Sequence, residues 1–217
     1  MALTFPLSRA EFQQTLRVAS VRFHDPVQQE RSGLGGGQVI RADIAPQLWR
    51  GTMALAPSRH VGAQAVEAML SRLSAQGTTF FAYDPRRVGP REDPDGSDLS
   101  GFSPEIESLA GNNREMSLQG LPVDYTLLPG DMLSFEYISA GVTNYALHRV
   151  VTGATAGATG ITPLFEVTPA IRPGAVAGAA VELVRPYCEA KLLDASYGRG
   201  RPVITQGAEF DFVQVLR

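Results

Sequence analysis

The chain has 217 residues and a formal net charge of −3, and its 44% hydrophobic content is enough to build the core of one large domain or two small ones. A charged fraction of 19%, with 22 Gly and 15 Pro, favours many short strands and turns over long helices. The basic residues gather only in small groups, such as Arg86, Arg87 and Arg91 or Arg199 and Arg201, which argues against a nucleic-acid-binding protein.

From Met1 to Asp84, strand-like segments alternate with turn signals. Thr15–Phe23 reads as a strand, with Leu16, Val18 and Ser20 on one side and Arg17, Ala19 and Val21 on the other. Ser32–Gly37 (SGLGGG) reads as a flexible turn, after which Gln38–Ile44 resumes the strand pattern. Leu48–Leu55, containing Trp49, is a further strand ending at Ala56-Pro57. One amphipathic helix follows near residues 63–75. Val66, Met69, Leu70 and Leu73 recur at i, i+3, i+4 and i+7, while Glu67, Ser71 and Arg72 fall on the other face. Gly77 is the expected stop. Thr78–Tyr83 (TTFFAY) then reads as a strand closed by Asp84-Pro85.

Arg86–Asp98 is polar and Pro-rich and reads as an exposed connection. Beyond it, Asp124–Leu128, Leu133–Tyr137, Ala146–Val151 and Leu164–Thr168 are closely spaced strands of a small antiparallel sheet or barrel. Leu128-Pro129-Gly130-Asp131 forms a tight turn, and Gly153–Gly160 reads as a flexible hairpin tip. The last region holds Val181–Pro186, a polar stretch, and Glu209–Leu216 (EFDFVQVL). That last strand is expected to return to the first region, because a strand alone leaves its backbone groups unpaired.

In this order, the motifs resemble the distal tail proteins of long-tailed bacteriophages and gene transfer agents. The first half carries Trp49, Gly51, the helix through Leu73, Gly77, Phe80, Asp84 and Pro85. The second carries Leu128, Pro129, Gly130 and Asp131, then Tyr145 to Val150, then Pro169-Ala170-Ile171-Arg172. The resemblance runs from Trp49 to Val184, whereas Met1–Pro46 departs from the pattern. It implies a mainly β protein of the α+β type. Residues 1–85 with 173–217 would form a tail-tube-like β-sandwich or barrel with one flanking helix. Residues 86–172 would form an inserted outer β domain, galectin-like or OB-like. The implied role is a structural virion protein forming a ring, commonly a hexamer, that joins the tail tube protein to the baseplate hub protein. A closed ring needs two different complementary surfaces on each subunit, and Gln28–Gln38 is a candidate arm that orders on assembly.

Chemistry is weakly signalled. Gly33–Gly37 lacks the Lys-Ser/Thr of a phosphate loop and precedes a strand. Asp93, Asp95 and Asp98 in DPDGSD lack the later bidentate Glu of a calcium loop. His24, His60 and His148 are scattered, with no zinc spacing. Cys188, the one cysteine, excludes an internal disulfide, and with His148 it forms a weak nucleophile candidate. Glu105, Glu107, Asp124, Asp131 and Glu136 are the carboxylates from which a hydrolase could be assembled, although Asp131 is better explained as a turn residue. The reading is therefore no enzyme, no cofactor, no metal and no catalytic residue. No stretch reaches the roughly 18–20 apolar residues of a membrane span, so the chain reads as made in the cytoplasm, and the resemblance implies that it is carried in the virion tail. The alternative is a carbohydrate-binding module of a tail tip, contacting a host surface glycan through Tyr125, Phe135, Tyr137 and Tyr145.

Overall fold

A computed structural model of the chain describes residues 3–33, 37 and 39–217. Leu34, Gly35 and Gly36 of the predicted Gly-rich turn lie outside them, as do Gln38 of the strand expected after it and Met1 and Ala2. The first region contains β1 (Val18–His24), β2 (Gln28–Gly33), β3 (Val39–Ala45), β4 (Arg50–Leu55), β5 (Ser58–Arg59), helix α1 (His60–Leu73) and β6 (Phe80–Tyr83). The middle adds β7 (Glu105–Leu109), β8 (Glu115–Gln119), β9 (Thr126–Leu127), β10 (Met132–Ser139), β11 (Val142–Val150), β12 (Ala154–Thr155), β13 (Phe165–Thr168) and β14 (Val181–Glu182). The end supplies β15 (Tyr187–Ser196), β16 (Ile204–Thr205) and β17 (Glu209–Gln214). The fold is mainly β, with 43% of residues in strands and 8% helical.

Two sheets organise it. A five-stranded sheet has the order β1-β4-β17-β15-β6, so the final strand lies between elements drawn from both ends of the sequence. A six-stranded sheet, β14-β10-β11-β13-β8-β7, curls until its outer strands meet. The Ile106 amide donates to the Ala179 carbonyl and the Val181 amide to that of Pro104, so this barrel is nearly closed. Its core is apolar and aromatic: Met116, Leu118, Leu127, Leu133, Phe135, Tyr137 and Phe165 are all buried.

In the first sheet, Leu70 and Leu73 of α1 are fully buried and Val66 and Met69 half-buried, packing onto Phe80, Phe210 and Phe212. Gly51 has a packing role, since a Cβ there would overlap the ring of Phe212 on the neighbouring strand. This explains the Trp-x-Gly pattern: the glycine lets an aromatic ring cross the sheet at close range.

β15 joins the two units. Its alternate residues face opposite ways: Cys188 and Ala190 enter the core beneath α1, whereas Tyr187 packs against Tyr145 of β11. Along β11, β13 pairs only with Arg149 and Val150, which leaves the Tyr145 and Leu147 carbonyls without a strand partner on that side. Side chains from the first sheet take that place. The Trp49 indole donates to the Leu147 carbonyl at 2.7 Å, and the Gln214 amide to that of Tyr145 at 3.1 Å. Gln214 also accepts from the Trp49 backbone amide, which ties the two donors together.

Several expectations need correction. Arg86–Asp98 carries no strand, but it is packed rather than a free linker: Arg87 donates to the Gly130 carbonyl, Arg91 to that of Pro129, and Asp93 is buried. Gly153–Gly160 is not a loose tip, because β12 pairs with β9 and both Ala154 and Ala156 are buried. Two predicted strands shorten at left-handed residues, Asp124 (φ 61°) before β9 and Arg185 (φ 52°) after β14. The polar stretch after Pro186 is the ten-residue strand β15.

Replacing Trp49 with Phe keeps one aromatic ring but removes the indole N–H and strands the buried Leu147 carbonyl. It is expected to lower unfolding free energy by roughly 1–3 kcal/mol in urea titration. Gly51→Ala forces Phe212 to move and is expected to cost roughly 1–3 kcal/mol by overpacking.

Candidate functional site

The structure does not bring the sequence's catalytic candidates together. Cys188 is fully buried between β6 and β17 in the sheet, and burial raises its thiol pKa, so it is a protonated core side chain. His148 is also buried, stacked on Phe135 at 5.3 Å, and is not hydrogen-bonded to Cys188. Its Nδ1 lies 2.8 Å from the Pro169 carbonyl. A carbonyl only accepts, so Nδ1 carries the proton and Nε2, which has no protein partner, is the bare nitrogen.

Several of the carboxylates serve the fold. Asp131 is buried and accepts from the Leu128 and Arg91 backbone amides, the turn role its sequence context suggests. Asp93 accepts from the Tyr125 hydroxyl and Asp95 from the Ser97 amide. Glu105 accepts from Gln119 across the β7–β8 pair, and Glu107 lies on the same strand, half-buried. Asp124 occupies its left-handed turn and Glu136 is exposed on β10. Among the described residues, no group of three or more His, Cys, Asp or Glu side chains is placed to hold a metal ion. Nor, among them, is any helix long and apolar enough to cross a membrane. Of the aromatic residues considered for glycan contact, Tyr125, Phe135 and Tyr137 are buried in the barrel and offer no face to a sugar.

Three surface features remain. The first is the outer edge of β1. The opposite edge of its sheet, β6, is covered by Leu7, which exchanges backbone bonds with Thr79 and Phe81. β1 pairs with β4 on one side, and among the described residues its other side has no backbone partner.

The second is an arm formed by β2 and β3, which pair only with each other. Every residue of β3 is exposed, including Val39, Ile40 and Ile44, and only Gln28 and Gln29 of β2 are partly covered. A two-stranded hairpin alone is marginal in water. Arg31 and Arg41 lie directly opposite each other in it and so project from one face, a like-charge pairing that further weakens it.

The third is a groove of about 370 Å³ on the β14 side of the barrel, lined by Glu136, Tyr145, Glu182 and Tyr187 among others. Phe81 packs edge to face on Tyr145 and Tyr187 with centroids 4.7 and 4.8 Å away, and the two tyrosine rings lie tilted to each other at 5.7 Å. Burial raises both phenol pKa values, and the nearby Glu136 carboxylate raises them further. The sequence signalled Glu136 and Tyr145 separately. It missed Tyr187, because β15 has no polar–apolar alternation to mark it.

Among the described residues, these features define a mainly β protein with a nearly closed barrel, an open β1 edge and an exposed two-stranded arm. No family model matches the chain, and no curated protein sequence matches it significantly.

Burial lowers the His148 pKa from the ordinary 6.5 to about 4. Below pH 6.5 the unfolded chain binds a proton that the folded protein refuses until about pH 4. Stability is therefore expected to fall from pH 6.5 to 4 by on the order of 3 kcal/mol. Urea titrations across that range should show the decline, and His148→Gln should remove a corresponding part of it.

Proposed function

We propose that this chain is a structural virion protein that forms a ring joining the tail tube to the baseplate hub of a long-tailed phage or phage-like particle. The ordered motifs from Trp49 to Arg172 point to that family. The observation that carries the reading is the combination of an open β1 edge and an arm whose β3 strand is exposed throughout. Natural proteins usually blunt or cover such edges, and exposed apolar residues on a weak hairpin gain most from a protein surface. A head-to-tail ring covers both features using two different surfaces of each subunit.

In this reading the partners are other copies of the chain, commonly six, together with a tube protein and a hub protein, and the protein is not an enzyme. Its chemistry is surface complementarity, and the barrel stands outside the ring.

The purified protein is expected to form closed rings, visible by negative-stain electron microscopy, with an integral multiple of the chain mass by native mass spectrometry. A strictly monomeric protein at all concentrations, absent from purified tail particles, would overturn the proposal.

A further inference from the structure

The tyrosine–glutamate groove already displays the chemistry it accepts. Arg9 holds its guanidinium 4.5 Å over the Tyr187 ring and 3.8 Å from Glu182, while it donates to the Val184 and Arg185 carbonyls. Aromatic ring and carboxylate together are a guanidinium site. Around the tyrosine pair stand three carboxylates. Glu182 is matched by Arg9 and Glu189 by Arg217, but Glu136 has no cation within 4.0 Å among the described residues. Glu136 is exposed and lines the groove beside Tyr145.

The same chain carries cations with the complementary need. Arg31 and Arg41 face each other on one side of the arm, and neither forms an ion pair with any described carboxylate. The arm cannot readily serve its own groove. Its base flanks the Thr168–Pro173 segment that follows β13. The groove lies at β14 and β10, across β11 from there.

We infer that the Arg31–Arg41 face of the arm of one copy docks in the Glu136–Tyr145–Tyr187 groove of the next copy. The inference rests on the ring reading and names the contact that closes it. The two surfaces differ, so the contact is heterologous and repeats around a ring. Docking relieves the repulsion between the two arginines and packs one face of the two-stranded arm against protein. A single exposed ion pair contributes little, so the contact works through two guanidinia, aromatic faces and Val39, which shares the Arg41 face of β3, together.

Charge reversal tests it. The double variant Arg31→Glu with Arg41→Glu, and separately Glu136→Arg, should each raise the concentration at half-assembly by at least about tenfold, because like charges then meet. Combining all three changes should restore assembly towards wild type, and Glu92→Arg, an exposed reversal outside the groove, should leave it unchanged. Mass photometry reads assembly, and thermal melts by circular dichroism check that each variant folds. If wild type forms rings and neither reversal weakens them, the contact is wrong while the ring stands. If Glu136→Arg weakens assembly but the arm variant does not, the arm is not the occupant. If wild type is monomeric throughout, both readings fall.

Discussion

The hydrogen bond from the Trp49 indole to the Leu147 carbonyl lies where the two halves of the molecule depend on each other. Strand β11 runs past the short β13, and its Tyr145 and Leu147 carbonyls emerge from the barrel wall with no strand to bond them. A buried carbonyl without a donor is costly. The barrel therefore requires the first sheet, whose Trp49 and Gln214 supply the missing donors. Arg149, on the same strand, lies over the Trp49 ring at 4.9 Å and pairs with Asp25, so charge, ring and amide converge on one junction. The terminal Arg217 completes it by pairing with the otherwise buried Glu189.

Much of this architecture was legible in the residues. Helix α1 announced itself because one face is buried and the other wet, and Leu70 and Leu73 are the positions the periodicity selects. Strands with aromatic and β-branched runs, such as Phe80–Tyr83 and Glu209–Gln214, were likewise visible. What escaped was β15, a central strand of the first sheet. Its first part, Tyr187–Ala190, is covered on both faces, so its sequence YCEAKLLDAS does not alternate, and a buried Glu189 reads as surface. The groove was invisible for the same reason, since Tyr187 joins Tyr145 only through β15. The irregular Arg86–Asp98 segment also misled, because its arginines donate to backbone carbonyls of a distant turn and no local pattern encodes that.

The sites where the sequence suggested chemistry turn out to be structural solutions. Asp131 holds a tight turn, Asp93 receives a tyrosine hydroxyl, and Cys188 fills space beneath the helix. The features left for function are of another kind: a strand edge, a hairpin and a groove. None of them needs a nucleophile, and all three can be satisfied by backbone, ring and charge from a neighbouring protein surface.

The strand order of the first sheet has a consequence for how the molecule comes into being. β4 is separated in space from β6 by β17 and β15, which are synthesised only after the whole barrel. The barrel, by contrast, is made from one uninterrupted stretch of chain, although its Tyr145 carbonyl gains the Gln214 donor only when β17 arrives. Until β17 emerges, β1 and β4 form at most a two-stranded ribbon, below the size that is stable alone. The edge of β1 is therefore presented on a rigid sheet only once translation has passed residue 214, which makes that edge one of the last surfaces of the first sheet to take shape.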